Sequence, residues 1–281
     1  MFAAFLITLR EGLEAALIVS ILIAYLVKTD RGDSIRYVWA GVGGAVAFSI
    51  AVGGTLAVAS DSLPDNAQAA LEGVMALLAV AFVTWMVFWM ARNARLLKGE
   101  LESHVDKAAA AGAGALAAMA FIAVSREGFE TALFLWTSFE ATGGGFWAIV
   151  GGILGLVVAI GMGVLIYQGA LRVNLAKFFK WTGIALIVIA AGVFTYGIHE
   201  LQAAGWLPGG GAIAFDVSGA FPMDSVQYTL LRGLFSVRTV PSWLEVFAWF
   251  AYLVPVMVIF LRTIRTPPRP VPSPENTPTT A

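Results

Sequence analysis

Long apolar segments follow one another along the chain, and polar residues are concentrated in the stretches between them. Segments long enough to cross about 30 Å of hydrocarbon as a helix lie at roughly 2–27, 37–60, 67–91, 113–137, 146–170, 181–203 and 243–263. The pattern predicts an all-α integral membrane protein with seven transmembrane helices. The first segment has no basic start and no cleavage signal, so we expect a retained span and not a signal peptide.

An internal repeat organises the first six spans. Arg10 and Arg126 lie 116 residues apart, while Trp39 and Trp147, each followed by a Gly-Gly pair, lie 108 apart. The repeat unit therefore has three spans, 1–91 and 108–203, and an odd number of spans inverts the second copy in the membrane. An outer loop, 204–242, and a seventh span, 243–263, complete a single transmembrane domain over 1–263.

Two segments outside the spans have a predicted conformation of their own. In the outer loop, residues 224–237 predict a short interfacial helix, because a good N-cap precedes apolar residues at helical spacing. Between spans three and four, a polar helical extension has an apolar stripe at Leu96, Leu97, Leu101 and Val105. The Pro/Thr-rich tail, 264–281, is expected to be disordered.

Basic residues follow the first, third, fifth and seventh spans, which together account for 13 of the 17 Lys and Arg residues. Since Lys and Arg accumulate on the cytoplasmic side, we expect an outside N-terminus and a cytoplasmic C-terminus. An acidic outer face would concentrate cations, although topology alone also keeps positive charge out of outer loops. The acidic residues assigned to that face are Asp61, Asp65, Glu140, Glu200, Asp216, Asp224 and Glu245.

Composition narrows the chemistry further. Hydrophobic residues make up 59% of the chain and charged residues 12%, about half the charged fraction of a soluble domain. Cysteine is absent, which excludes disulfides, thiolate metal sites and thiol catalysis. No Ser/His or Asp/Asp arrangement occurs at membrane depth, so we predict a protein that is not an enzyme, needs no cofactor and binds no nucleic acid.

Charged residues occur in the middle of two predicted spans, where each costs about 2.5–3.5 kcal/mol. Span one contains Arg10-Glu11-Gly12-Leu13-Glu14, and span four contains Arg126-Glu127-Gly128-Phe129-Glu130. On a helix the three charged side chains of each motif share one face. Arg10 can pair with Glu14 at i,i+4, which leaves Glu11 available to another helix or to an ion.

The four motif glutamates predict an all-oxygen site for a hard cation. Glu11, Glu14, Glu127 and Glu130 would face a shared cavity, and the glycine in each motif would allow close helix packing. By symmetry, Glu11 and Glu127 should be the stronger metal contacts. The alternative is that each Arg-Glu-x-x-Glu motif is a structural ion pair that only holds helices together.

Paired Arg-Glu-x-x-Glu motifs in a seven-span chain resemble the oxidase-dependent iron transporter family, which includes fungal and bacterial iron permeases. The resemblance covers nearly the whole chain and implies import of iron, expected to be ferric, across a bacterial cytoplasmic membrane. By that resemblance Glu11, Glu14, Glu127 and Glu130 handle the iron, with Arg10 and Arg126 required beside them. It also implies extracytoplasmic iron-binding or iron-oxidising partner proteins.

Other transmembrane functions remain open at the sequence level. The same architecture would suit a transporter of lead or manganese, and buried ion pairs alone would suit a membrane sensor or structural protein. Secondary candidates are Glu72, as an acid between the outer face and the site, and the His199-Glu200 pair as an outer vestibule. Met86 and Met90 have a spacing that suits cuprous ion but is more typical of packing, and Trp85 and Trp89 are interpreted as membrane-interface anchors.

Overall fold

The structure is a computed structural model that describes residues 1–93, 97–141, 146–168, 174–216 and 240–265. These residues form eight α-helices: α1 (Phe2–Lys28), α2 (Ile35–Asp61), α3 (Asp65–Asn93), α4 (Leu97–Ala111), α5 (Ala113–Ala141), α6 (Phe146–Tyr167), α7 (Leu175–Ala203) and α8 (Trp243–Arg265). Within the described ranges no β-strand occurs, which confirms the all-α prediction. The helix predicted at 224–237 and the tail beyond 265 lie outside these residues.

Five helices, α2, α3, α6, α7 and α8, are long and apolar enough to cross a membrane. The helices α1 and α5 are equally long, at 27 and 29 residues, but each carries the three charges of one motif. Charge, and not length, therefore separates these two helices from the other five. The chain is a multi-pass membrane protein, while the count of seven spans stays a prediction.

Helix boundaries follow the apolar segments closely, with the largest difference at α7. This helix begins at Leu175 instead of the predicted 181, because the Asn174 side chain accepts a hydrogen bond from the Lys177 backbone N–H (3.1 Å) and caps the helix. The predicted polar extension forms α4, where the fully buried Val105 packs against Leu22 and Leu26 of α1. The side chains of the other stripe residues lie outside the described part.

The most extensive helix contacts join α1 to α6, α2 to α5, and α3 to α7, and α1 also contacts α5. In the predicted inverted repeat, α1–α3 correspond to α5–α7, so the α1–α6 and α2–α5 pairs would be equivalent. The observed pairing is the one such a repeat would produce, although the repeat itself stays a prediction. Outside the six helices, α8 packs on α7, with the Tyr252 ring stacked on Phe194 at a centroid distance of 5.5 Å.

Glycines set how closely these pairs pack. A Cβ built on Gly155 of α6 would collide with the Thr8 hydroxyl and the Phe5 carbonyl of α1. The motif glycines act in the same way: a Cβ on Gly12 would lie 2.8 Å from the Ala159 Cβ of α6, and one on Gly128 would collide with Ser49 of α2. Gly12 and Gly128 therefore bring α6 and α2 against the two motifs.

We predict that Gly155→Ala destabilises the protein, because the new methyl group must separate α1 from α6. Overpacking of this kind costs about 1–3 kcal/mol, which should lower the melting temperature in detergent. Gly161→Ala is the matched control, since a Cβ there meets no atom within 4 Å and alanine favours the helix. Equal melting temperatures for the two variants would contradict the close-contact role of Gly155.

Candidate metal centre

Three motif carboxylates converge where α1 meets α5. One oxygen each from Glu11, Glu14 and Glu127 lies within 4.8 Å of the others. All three residues are buried, Glu11 to 1% exposure and the other two to 6%. Among the described residues, this is the only group of three or more His, Asp or Glu side chains with ligand atoms so close together. Two helices distant in sequence thus form one oxygen-rich cluster.

The fourth motif glutamate lies outside this cluster. Glu130 accepts a hydrogen bond from Arg126 Nε at 3.1 Å, just as Glu14 accepts one from Arg10 Nε at 3.0 Å. The i,i+4 pair predicted for Arg10 and Glu14 is therefore present, and Arg126 and Glu130 form the equivalent pair in the second motif. The prediction that Glu11 is freer than Glu14 matches these contacts, but the structure places Glu14 in the cluster as well.

Several buried polar atoms of the site have no hydrogen-bond partner among the described residues. They are one oxygen each of Glu11, Glu127 and Glu130 and the Nη1 atom of Arg10. A buried carboxylate oxygen without a donor is costly, and like charges close together add to that cost. A bound cation would relieve both penalties at Glu11 and Glu127.

The two arginines have different surroundings, and helix α3 provides most of the difference. Arg10 is 1% exposed and donates through Nη2 to the Met86 sulfur at 2.6 Å. The Arg126 side chain is 37% exposed, and its guanidinium carbon lies 5.0 Å from the Trp85 ring centroid and 5.1 Å from that of Trp89.

Sequence reasoning missed these roles of α3. The role of Trp85 and Trp89 as membrane-interface anchors stays a prediction, and the structure shows that both rings also contact Arg126. The packing interpretation of Met86 is confirmed, since the residue lies in the hydrophobic core, and its sulfur also accepts a hydrogen bond from Arg10. The sequence does show two tryptophans at i,i+4 spacing with a methionine beside them, a pattern that could have indicated contact with an arginine. Nothing in the sequence indicates which face of α3 meets the motifs.

A cavity of about 590 Å³ opens beside the cluster between α1, α2, α5 and α6. Glu11 and Glu127 line it, together with the hydroxyl-bearing residues Thr8, Ser49 and Thr131. A second cavity of about 290 Å³ shares Thr8 and Thr131 and extends toward Ala4 and Ala148, near the N-terminal ends of α1 and α6. Apart from these groups the walls are largely apolar side chains.

Glu72, expected between the outer face and the site, is a buried and well-bonded carboxylate. It is 6% exposed and accepts hydrogen bonds from Ser60 Oγ (3.3 Å), Gln68 Nε2 (2.8 Å) and the Tyr196 hydroxyl. These donors come from α2, α3 and α7. In this arrangement Glu72 ties three helices together.

The predicted His199-Glu200 pair has a different arrangement. His199 Nδ1 lies 3.1 Å from a Glu245 oxygen, so its partner comes from α8 and not from the adjacent residue. Glu245, predicted to lie on the acidic outer face, does not contribute an open carboxylate there: the residue is 2% exposed because it packs against α7. The contact fixes α8 to the helical bundle.

Comparison with known proteins finds similarity to iron permeases over nearly the whole chain. Residues 1–266 match the Iron permease FTR1 family. The chain is 42% identical over 272 residues to the ferrous iron permease EfeU of Escherichia coli O6:H1, covering 96% of this chain and 97% of the relative. Its identity to ferrous iron permease EfeU of Yersinia pestis is 40%, over 96% of this chain and 95% of the relative. No solved structure matches the chain.

We predict that Glu14→Gln destabilises the protein when metal is absent and that Glu11→Gln does not. Glu14→Gln leaves the enclosed Arg10 charge without its carboxylate, and breaking a buried pair costs about 3–5 kcal/mol. Glu11→Gln removes a repelling charge with an unbonded oxygen, so stability should be equal or higher. Melting temperatures in detergent with a chelator provide the measurement, and a greater loss for Glu11→Gln would refute the assignment.

Proposed function

The chain belongs to the iron permease FTR1 family, and we propose that it imports iron through the cluster of Glu11, Glu14 and Glu127. One observation carries the proposal: three buried carboxylates from two helices converge within 4.8 Å, and among the described residues one oxygen each of Glu11 and Glu127 has no hydrogen-bond donor. Oxygen ligands of this kind suit hard or borderline divalent cations. Iron is here the transported substrate, and Glu130, Arg10 and Arg126 support the site.

For the oxidation state, we propose ferrous iron in place of the ferric iron expected from the sequence. Four motif glutamates and two arginines carry a formal charge of −2 when all are ionised. A divalent ion neutralises that charge, whereas a trivalent ion leaves a positive charge in a region of low dielectric constant. The relatives named above carry the name ferrous iron permease, which supports this choice.

The two cavities suggest how iron reaches the cluster. They run from Glu11 and Glu127 to the N-terminal ends of α1 and α6, the ends that the predicted topology places outside the cell. The hydroxyl groups of Thr8, Ser49 and Thr131 donate to backbone carbonyls of their own helices and keep lone pairs free for a hydrated cation.

Release to the cytoplasm would follow from movement of two symmetry-related helix pairs around the site, each pair made of one helix from either repeat. The α1–α6 and α2–α5 pairs, each packed through a motif glycine, are the units we propose to move. The membrane is proposed to be the bacterial cytoplasmic membrane, with the N-terminus outside. Iron-binding proteins outside that membrane would deliver the ferrous ion, whereas an iron-oxidising partner would suit only ferric transport.

We predict that Glu11→Gln and Glu127→Gln each reduce ferrous iron uptake into proteoliposomes about tenfold or more. In metal sites, loss of a residue that only supports a ligand already lowers metal affinity about 10–100-fold, and loss of the ligand itself should cost at least as much. Radioactive iron is offered under reducing conditions, and in parallel as ferric citrate. Asp65→Asn, at the exposed start of α3, is the control and should transport normally. Undiminished uptake by both glutamate variants would exclude the site.

Competition separates iron from other metals. Manganese or lead in tenfold excess should leave most iron uptake intact if iron is the substrate. Stronger uptake of either competing metal than of iron would instead support the alternative cation transporter. Absence of flux for every metal, with the protein correctly folded, would favour a structural role for the motifs.

A further inference from the structure

One turn of α3 contacts both arginines of the site. Met86 accepts a hydrogen bond from Arg10, while the rings of Trp85 and Trp89 lie about equally far from the guanidinium carbon of Arg126, at 5.0 and 5.1 Å. These distances are within the range of cation–π attraction. The motif arginines, 116 residues apart in sequence, are thus held by residues within a single helical turn.

Arg126 has a choice of partners that Arg10 lacks. Its Nε lies 3.1 Å from Glu130 Oε1 and 3.9 Å from Glu127 Oε1. With 37% of its side chain exposed, against 1% for Arg10, Arg126 is not enclosed by close packing. A small rotation would bring its guanidinium group onto Glu127, which belongs to the carboxylate cluster.

We propose that Trp85 and Trp89 are positioning residues that hold Arg126 on Glu130 and so keep Glu127 available to the metal ion. The proposal rests on the proposed function, because it assigns Glu127 to the iron site. The indole faces attract the guanidinium group while its Nε donates to Glu130 at 3.1 Å and stays 3.9 Å from Glu127. Without them Arg126 pairs with Glu127 and competes with the cation for its oxygens.

The test measures ferrous iron binding to the purified full-length chain by anaerobic calorimetry. The double variant Trp85→Leu/Trp89→Leu should raise Kd about five- to tenfold, the loss expected for two cation–π contacts that are partly shielded from water. Trp85→Phe/Trp89→Phe keeps two aromatic faces and should bind almost as tightly as the wild type. Trp39→Leu is the matched control, because Trp39 is 55% exposed and Trp85 is 53% exposed.

A second comparison separates positioning from ordinary packing. The indoles act through Arg126, so in an Arg126→Gln background the two leucine substitutions should leave Kd unchanged. An equal loss in that background, or an equal loss for the leucine and phenylalanine pairs, would overturn the proposal. If the double leucine variant fails to fold, the single variant Trp85→Leu, at the more exposed position, should raise Kd about threefold, and an unchanged Kd overturns the proposal.

The outcome for the wild-type protein distinguishes the two proposals. Wild-type protein that binds and transports iron, together with leucine variants of unchanged Kd, overturns the positioning role alone. Wild-type protein that binds no ferrous iron overturns both the positioning role and the proposed function.

Discussion

Burial of five charged side chains in the contact between α1 and α5, with the partly exposed Arg126 beside them, is the constraint on which the structure depends. Each such charge costs about 2.5–3.5 kcal/mol at the centre of a membrane, and the two i,i+4 ion pairs offset part of that cost. The remaining carboxylates can be shielded only if neighbouring helices pack very closely. Gly12 and Gly128 meet that need, because they let α6 and α2 pack directly against the two motifs.

The charged cluster lies between a packed half and a hollow half of the helical bundle. On one side, residues of α1, α3, α5, α7 and α8 form a continuous hydrophobic core that includes Ile7, Met86, Leu133 and Phe260. On the other, α1, α2, α5 and α6 surround the cavity lined by Glu11 and Glu127. The arginines are held from the packed side, by Met86 and the tryptophans, so that carboxylates and not guanidinium groups line the open space.

Features set by one helix could be predicted from the sequence, and features set by packing between helices could not. The apolar segments gave the helix positions, and a rotation of 100° per residue gave the Arg10–Glu14 and Arg126–Glu130 pairs. The contact of Arg10 with Met86 joins residues 76 apart, and that of His199 with Glu245 joins two helices. Their partners depend on which faces of α3, α7 and α8 turn inward, and no pattern along a single helix determines this.

The two motifs are alike in sequence, but their arginines have different contacts with the neighbouring helices. This difference follows from the amino-acid sequences of α3 and α7. Under the predicted repeat, α7 corresponds to α3, and an alignment of Thr195 with Thr84 places Tyr196 and Gly197 where α3 has Trp85 and Met86. Tyr196 donates its hydroxyl hydrogen bond to Glu72, and glycine offers no sulfur acceptor, so α7 cannot hold an arginine as α3 does. If the two repeats exchanged their conformations, Arg10 and Arg126 would therefore not acquire each other's environments. Since the Arg10 side chain is 1% exposed and that of Arg126 is 37% exposed, the arginine of the second motif has more room to change partners.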